Sequence, residues 1–342
     1  MASSVVKVFY NSLGTPEIYD LMQRLKPPSL ELVLLDRDDD GERVAKVREC
    51  EAIIAAATRL TRRTIEAAPR LRFVQHQGVG YHDTVDVPAL AERGIRLAVS
   101  TAGTIGVAEH AVMLALAAAR RVTFADSELR SGRWHANSLR PVSMELAGKT
   151  VGYVGMGRIG QAAAERFGGF RTRGLYSDPN VRLPPEREEE LGLAPASLDR
   201  ILREADVVTL HLPLTPDTRN LIGRDELALM KPNSILINTA RGGIVDEAAL
   251  AEALKEGRPG AAGIDVFETE PVTANHPLAL LPNTVLTPHI AAGTWDSFVG
   301  KMDSVLSNIA AFFEGRPLQN EIALGPAPDR SAAVLDIARR GP

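Results

Sequence analysis

A glycine-rich segment, GYVGMGRIG at residues 152–160, constrains the fold more than any other part of the chain. It overlaps the end of the apolar run KTVGYVG, and QAAAERFGGF continues after it with helical character. In a strand–turn–helix unit of this kind, Gly155 permits the tight turn, Gly157 lets the backbone approach a pyrophosphate, and Gly160 lets helix and strand pack closely. The free N–H groups and the dipole at the helix start favour an anion at this position.

An acidic residue at the end of the next predicted strand strengthens this interpretation. RGLYSDP places Asp178 at that strand end, where a ribose diol would be held. A lone GxGxxG is a weak signal in a chain with 28 glycines, and Asp178 alone is also a common turn residue before Pro179. Together, strand, glycines, helix, strand and acid predict dinucleotide binding. A carboxylate here accepts bonds from both ribose hydroxyls and repels a 2′-phosphate, so NAD is favoured and NADP is the alternative.

Length and composition exclude several classes of protein. A chain of 342 residues, 45% of them hydrophobic, can bury the cores of two domains. The net charge is −4 and the basic residues are scattered, which argues against nucleic-acid partners. No run approaches the roughly 18 apolar residues that cross a bilayer, so we expect a cytoplasmic protein with small-molecule partners. The single cysteine, Cys50, excludes an internal disulfide and lacks metal-ligand spacing, so no metal site is expected.

Two series of short apolar runs predict two parallel sheets. The first series contains VVKVFY, LELVLLD, EAIIAAA, LRFVQHQ and GIRLAV. The second contains KTVGYVG, RGLYSD, DVVTLHLP, SILINTA, AAGIDVF and NTVLTPHI, six strands that match a doubly wound nucleotide-binding sheet. Residues 104–131 between the series predict one long helix, and TWDSFVGKMDSVLSNIAAFFEG predicts another that packs back on the first domain.

These patterns predict an α/β fold with a discontinuous first domain. A flavodoxin-like substrate domain is expected over residues 1–104 and 293–325. A Rossmann dinucleotide-binding domain is expected over the inserted residues 105–292, and residues 326–342 form a C-terminal tail.

Five segments carry a specific resemblance. ELAGKTVGYVGMGRIG, HLPLTPDTRNLI, INTARGGIVDEAAL, GIDVFETEP and TPHIAAGT resemble the D-isomer-specific 2-hydroxy-acid dehydrogenases, which include phosphoglycerate, glyoxylate or hydroxypyruvate, and D-lactate dehydrogenases. The resemblance keeps its order from about Gln77 to about Gly315. It implies NAD(H)-dependent interconversion of a 2-keto acid and a D-2-hydroxy acid. It also implies that Arg241, Glu270 and His289 are the catalytic residues.

The chemistry explains why these three residue types belong together. Reducing a keto acid needs a hydride on the carbonyl carbon, which nicotinamide supplies, and a proton on the oxygen. His289 would give and take that proton, and Glu270 would orient the ring and favour the imidazolium. Arg241 would hold the carboxylate and polarise the carbonyl. Singly, each residue also has a structural explanation, but their joint occurrence at successive strand ends favours a site.

The resemblance also implies the remaining contacts. Asp265 would lie beside the nicotinamide carboxamide and Val107 against the nicotinamide ring. The full expected cofactor set is Val107, Gly155, Met156, Gly157, Arg158, Ile159, Gly160, Asp178, His211, Pro213, Thr239, Ala240, Arg241, Asp265 and His289. The substrate carboxylate would meet the backbone N–H groups of Val79 and Gly80, together with Arg241 and His289.

The substrate loop QGVGYHDTVD departs from the usual pattern of the family. His82 is an extra residue and Thr84 replaces the usual Asn, which leaves the substrate side chain open among glyoxylate, hydroxypyruvate, phenylpyruvate and longer keto acids. His76 and Tyr81 either line the substrate pocket or pack within the loop.

The same resemblance leaves three alternative functions to consider and implies an oligomeric state. Formate dehydrogenases carry Gln where Glu270 stands, which argues against that activity, whereas a phosphite-oxidising relative keeps all three residue types. Co-repressors that share the fold are nucleotide-sensing scaffolds, but they carry partner-binding extensions. The segment RRVTFADSELRSGRWHANSLRPVSMEL implies a homodimer, with an interface role for Trp134.

Overall fold

A computed structural model describes residues 5–324, and the chain divides into two compact units. Unit 1 contains Met1–Ala102 and Phe298–Pro342, and unit 2 contains Gly103–Ser297. The predicted tail over residues 326–342 lies outside the described residues. Within the described part of the chain, no helix is long and apolar enough to span a bilayer.

Unit 1 is built around a six-stranded sheet in the order β2-β1-β3-β4-β5-β13. Its strands are β1 (Val6–Tyr10), β2 (Leu30–Val33), β3 (Ala52–Ala55), β4 (Phe73–His76), β5 (Arg96–Val99) and β13 (Glu321–Ile322). Its helices are α1 (Pro16–Leu25), α2 (Asp40–Lys46), α3 (Arg62–Glu66), α4 (Val87–Glu92) and α12 (Trp295–Phe313), whose first residues belong to unit 2. The order 2-1-3-4-5 is flavodoxin-like, which confirms the predicted class.

Alternate residues of the unit 1 strands enter two separate cores. Val8 and Ile54 face one side, where Val305 and Ile309 of α12 cover the sheet. Phe9 and its neighbours in β3 and β4 face the other side. Because both faces are buried, the strands appear in the sequence as continuous apolar runs. The last strand, β13, is antiparallel to β5 and only two residues long, too short to leave a sequence pattern.

Unit 2 contains a parallel seven-stranded sheet in the order β8-β7-β6-β9-β10-β11-β12. Its strands are β6 (Thr150–Val154), β7 (Arg173–Ser177), β8 (Leu193–Pro195), β9 (Val207–Leu210), β10 (Ile235–Asn238), β11 (Ala261–Ile264) and β12 (Thr284–Leu286). Its helices are α5 (Thr104–Ala119), α6 (Val122–Arg130), α7 (Arg158–Gly168), α8 (Pro185–Leu191), α9 (Leu198–Glu204), α10 (Arg224–Leu229) and α11 (Glu247–Lys255). The strand order reverses between β6 and β9, and ligands bind at the carboxyl ends beside such a reversal.

The long helix predicted over residues 104–131 is wrong in one respect, because the chain breaks it into α5 and α6. Arg121 adopts a left-handed backbone conformation, with φ of 53°, directly before α6. A residue with this conformation cannot continue a right-handed helix. The apolar residues of α5 pack against the sheet so closely that a Cβ at Gly263 would lie 2.8 Å from the Leu114 Cβ.

Candidate active site

The glycine turn joins β6 to α7 at the point where the strand order reverses. Gly155 has φ of +95°, and a Cβ there would lie 2.3 Å from the carbonyl oxygen of His211. A Cβ at Gly160 would lie 2.3 Å from the Gly155 carbonyl oxygen. Nothing lies within 4 Å of the Cβ position at Gly157, the residue that precedes α7. The turn therefore needs glycine at two positions for backbone packing and leaves open space at the third, where the helix N-terminus favours an anion.

Asp178 lies directly after β7 and beside this turn. One carboxylate oxygen accepts a hydrogen bond from the Met156 N–H at 2.7 Å, and the other accepts from the N–H groups of Asn180 and Val181 at 2.8 and 3.0 Å. These bonds fix the carboxylate at the edge of a cavity of about 220 Å³. Arg182 lines the same cavity, and its guanidinium lies 3.5 Å from Glu188.

Buried polar atoms without partners lie at the carboxyl ends of β9 and β10. Among residues 5–324, the Thr239 Oγ1 and His211 Nδ1 atoms are buried without a hydrogen-bond partner. The His211 Nε2 atom lies 3.0 Å from Thr209 Oγ1, and burial of the ring lowers the pKa of His211 to about 4, so the imidazole is neutral. Unpaired buried polar atoms are costly unless a ligand or water pairs with them. With the open space at Gly157, they fit a bound dinucleotide.

Arg241 lies at the carboxyl end of β10, and Asn238 fixes its backbone. The buried Asn238 amide donates to the Arg241 carbonyl and accepts from the Ala240 N–H, both at 3.0 Å. The Arg241 guanidinium donates to the Ala240 carbonyl at 2.8 Å. Arg241 therefore lies in a turn whose backbone is fixed by hydrogen bonds. This turn is at the same edge of the sheet as the residues that follow β11 and β12.

His289 and Glu270 are in direct contact. The His289 Nδ1 atom lies 2.9 Å from one carboxylate oxygen of Glu270, and the other oxygen accepts from the Phe267 N–H at 2.9 Å. Among residues 5–324, the His289 Nε2 atom has no hydrogen-bond partner. The carboxylate thus orients the ring through one nitrogen and leaves the second nitrogen available.

Asp265 anchors the segment that carries His289. Its fully buried carboxylate accepts from the Thr287 hydroxyl at 2.6 Å and from the N–H groups of Ile290 and Ala291 at 2.9 Å. The His110 Nε2 atom lies 2.9 Å from the Thr287 hydroxyl and 3.5 Å from the carboxylate. Burial alone would raise the pKa of Asp265, but these hydrogen bonds hold it below its ordinary value. The backbone contributes as well, since the His289 N–H donates to the Asp265 carbonyl at 2.8 Å.

Helix α5 supports the same segment. A Cβ at Gly106 would lie 3.3 Å from the Ala291 carbonyl oxygen, so the first turn of α5 packs closely against the residues after His289. Val107 follows in this turn and is buried. Pro213 belongs to the loop after β9, where its carbonyl accepts from the Thr218 hydroxyl at 2.7 Å.

The expected substrate-carboxylate groups, Val79 and Gly80, lie in unit 1 in the loop after β4. Val79 is exposed, whereas His76 is turned into the loop and is only 5% exposed. His76 therefore packs within the loop, one of the two alternatives that the sequence leaves open.

Three residues that support the site were not among the predicted site residues: Asn238, Thr287 and His110. Asn238 and Thr287 belong to the quoted motifs INTARGGIVDEAAL and TPHIAAGT, but each of the three roles depends on a hydrogen bond to a backbone group or to a residue distant in sequence. The polar Asn238 at the end of an otherwise apolar strand, SILINTA, was the available signal.

Comparison with known proteins identifies the family. The sequence model for the D-isomer specific 2-hydroxyacid dehydrogenase, NAD binding domain, matches residues 112–291. The chain is 42% identical over 283 residues to a glyoxylate reductase of Thermococcus litoralis, covering 80% of this chain and 84% of the relative. It is 39% identical over 285 residues to a D-3-phosphoglycerate dehydrogenase of Archaeoglobus fulgidus, covering 83% of this chain and 53% of the relative.

A solved structure agrees with both sequence relatives. The crystal structure of a glyoxylate reductase from Paecilomyes thermophila superimposes with a TM-score of 0.81 at 29% identity, covering 94% of this chain and 99% of that one. The glycine turn, the strand order and these matches point to the same group of oxidoreductases. The chain belongs to the D-isomer-specific 2-hydroxyacid dehydrogenase family and is an NAD-dependent oxidoreductase that acts on CH–OH donors.

Proposed function

We propose that the protein interconverts a small 2-keto acid and the corresponding D-2-hydroxy acid, with His289, Glu270 and Arg241 as its catalytic residues. The observation that carries this proposal is the 2.9 Å contact between His289 and Glu270, which leaves Nε2 of the ring without a partner among residues 5–324. An imidazole oriented by a carboxylate is suited to transfer a proton near neutral pH.

Each residue has one task in the reduction. When bound, the nicotinamide cofactor would supply the hydride for the carbonyl carbon. The His289 Nε2–H gives a proton to the carbonyl oxygen, and Glu270 stabilises the imidazolium before that transfer. Arg241 pairs with the substrate carboxylate and stabilises the negative charge that develops on the carbonyl oxygen. Val79 and Gly80 donate backbone N–H groups to the carboxylate. In the oxidation, His289 takes the proton back.

The cofactor would be held along the carboxyl edge of the unit 2 sheet. The pyrophosphate would lie at Gly157 and the start of α7, and the adenosine ribose at Asp178. Thr239 and His211 offer buried polar atoms that the described residues leave unpaired.

A substrate and cofactor panel tests the reaction. Glyoxylate comes first, because a relative at 42% identity is named a glyoxylate reductase, followed by hydroxypyruvate and phenylpyruvate, each with NADH and with NADPH. Loss of reduced-cofactor absorbance with a keto acid is the expected result. Formate and phosphite with NAD⁺ are the controls, and oxidation of either one without keto-acid reduction would overturn the proposal. NADH binding without any turnover would favour the nucleotide-sensing scaffold.

We further propose that Asp178 selects NAD over NADP. Its carboxylate at the strand end repels a 2′-phosphate, so Asp178→Ala should narrow the preference for NADH by about tenfold or more. The ratio of kcat/KM with NADH to kcat/KM with NADPH measures the effect. Arg182→Ala is the matched control, because this residue lines the same cavity and its removal should not favour NADPH. A ratio that Asp178→Ala leaves unchanged would rule out the assignment.

We infer a homodimer formed through the segment between α5 and β6. This segment exposes Trp134 at 80%, together with Leu129 and Val142. Exposed large apolar residues concentrated in one segment are typical of a protein interface. Sedimentation at a mass near twice 36.8 kDa is the expected result.

A further inference from the structure

The unusual loop after β4 closes around a buried histidine. His76 is the last residue of β4, and its Nε2 atom lies 2.9 Å from the Thr84 hydroxyl. Its Nδ1 atom contacts the Gly78 backbone, 2.6 Å from the oxygen and 3.1 Å from the nitrogen. Both ring nitrogens are therefore engaged inside the loop.

The Thr84 hydroxyl connects this ring to the far side of the turn. It donates to the Gly80 carbonyl at 3.2 Å, while the Thr84 carbonyl accepts from the Leu60 N–H at 2.8 Å. Two backbone bonds complete the turn, from Tyr81 to the Val79 carbonyl at 3.2 Å and from Val85 to the Tyr81 carbonyl at 3.0 Å. The position where relatives carry Asn is thus the bridge between His76 and Gly80.

The turn leaves one donor available. Over the described part of the chain, the Val79 N–H has no acceptor, and the Val79 side chain is 41% exposed. The extra residue, His82, is exposed, and its ring stacks on that of Tyr81 with the ring centroids 4.1 Å apart. Tyr81 in turn packs against the apolar core of unit 1. The insertion therefore leaves the His76–Thr84 bridge in place.

We propose that His76 and Thr84 are positioning residues that fix the shape of this loop for substrate binding. The inference rests on the proposed function, in which the Val79 and Gly80 N–H groups bind the substrate carboxylate. Gly78 and Gly80 give the loop more backbone freedom than other residues would. Holding it in one conformation before the substrate arrives removes that ordering cost from binding. Loss of the bridge should therefore weaken substrate binding and leave the proton and hydride steps nearly unchanged.

Thr84→Val removes the hydroxyl at nearly constant volume, and Thr84→Ser retains it. For Thr84→Val we expect the KM of the best keto acid from the panel to rise about three- to tenfold. The kcat and the KM of NADH should stay within about twofold, and Thr84→Ser should restore the keto-acid KM. Thr172→Val is the control, because the Thr172 hydroxyl also donates to a backbone carbonyl, that of Phe167 at 3.0 Å, in unit 2. If Thr84→Val does not fold, Thr84→Ala removes the same hydroxyl without the added methyl group.

Hydrogen–deuterium exchange separates this inference from the proposed function. The amides of Tyr81 and Val85 should exchange faster in Thr84→Val than in the wild type or in Thr84→Ser. This readout stands even if the wild type reduces no keto acid, a result that would overturn the proposed function alone. Unchanged exchange in Thr84→Val would overturn the positioning role. Faster exchange with an unchanged keto-acid KM would overturn the connection to substrate binding.

Discussion

Two histidine–glutamate pairs in unit 2 have the same separation and different surroundings. His289 and Glu270 are 2.9 Å apart with side chains 47% and 37% exposed. His276 and Glu247 are also 2.9 Å apart, but their side chains are only 17% and 16% exposed. Distance alone therefore does not distinguish the proposed proton-transfer pair from a structural one.

The second ring nitrogen distinguishes them. The His276 Nδ1 atom accepts from the Leu278 N–H at 3.3 Å, and the ring packs edge-on against Phe267 at 5.5 Å. Glu247 also accepts from the Glu268 N–H at 2.7 Å, so this pair fastens a loop to α11. His289 uses only Nδ1 within the described residues, and its backbone has φ of 53°. Such a conformation is costly for a residue other than glycine and persists only where its surroundings hold it.

Removing each histidine should give opposite results. His289→Ala should lower kcat by about a thousandfold, because the variant lacks the group that gives the proton. NADH binding, measured by fluorescence titration, should stay nearly intact. His276→Ala should keep kcat within about twofold and lower the Tm, because it removes the contacts to Glu247 and Leu278. Equal loss of kcat in both variants, or full turnover in His289→Ala, would remove the distinction between the pairs.

Substituting Glu270 and Glu247 tests the same comparison, with a smaller expected effect on kcat than substituting the histidines. Glu270→Gln removes the negative charge that stabilises the imidazolium but keeps an amide of the same shape. We expect kcat for keto-acid reduction to fall about a hundredfold, at the lower end of what acid–base catalysis contributes, because the histidine itself remains. Glu247→Gln should leave kcat within about twofold and affect the Tm only. Steady-state kinetics and thermal unfolding of both variants provide the measurement. A kcat unaffected by Glu270→Gln would show that the contact with His289 is not used in turnover.

Most of the fold could be predicted because both sheets are parallel and buried. The five apolar runs before residue 100 and the six after residue 148 all became strands. The two short edge strands, β8 and β13, were missed because three and two residues leave no period to detect. The break at Arg121 was also missed, since its sequence, AARRVTF, continues a good helical pattern, and only the backbone shows the left-handed residue.

The candidate site likewise contains residues that the sequence predicts and roles that it does not. Motif order in the sequence identified Glu270 and His289, and the structure places them in contact. Asp265 was predicted as a cofactor contact, but the anchoring of the His289 segment by Asp265, Thr287 and His110 could not be predicted, because it depends on hydrogen bonds that span up to 177 residues. Sequence separation also does not distinguish the two histidines. His289 lies 19 positions from Glu270, and His276 lies 29 positions from Glu247.

The surroundings of the two histidines also differ in Asp265, whose carboxylate anchors the segment that carries His289. Burial raises the Asp265 pKa, but hydrogen bonds from His110, Thr287 and the N–H groups of Ile290 and Ala291 outweigh it and hold the pKa below its ordinary value. A carboxylate whose pKa is lowered in the folded state contributes its full stabilisation when the pH is above its pKa in the unfolded state, near 3.9. The contribution is lost as the pH falls through the pKa of the folded state.

Asp265→Asn should therefore cost about 1–3 kcal/mol in the free energy of unfolding near neutral pH, because an amide cannot accept from all of these donors. The difference from the wild type should begin to shrink as the pH falls below about 4, where the carboxylate becomes protonated in the unfolded wild type, and should be lost as the pH falls through the still lower pKa of the folded state. Denaturant unfolding between pH 7 and 3 measures it. Asp206→Asn is the control, since the Asp206 pKa is likewise lowered, against burial, by the Thr150 N–H and Lys231. Both variants should lose stability, but only Asp265→Asn should also lower kcat, because only Asp265 holds the His289 segment. If the two variants lowered kcat equally, general destabilisation would explain the loss, and the anchoring of His289 by Asp265 would not.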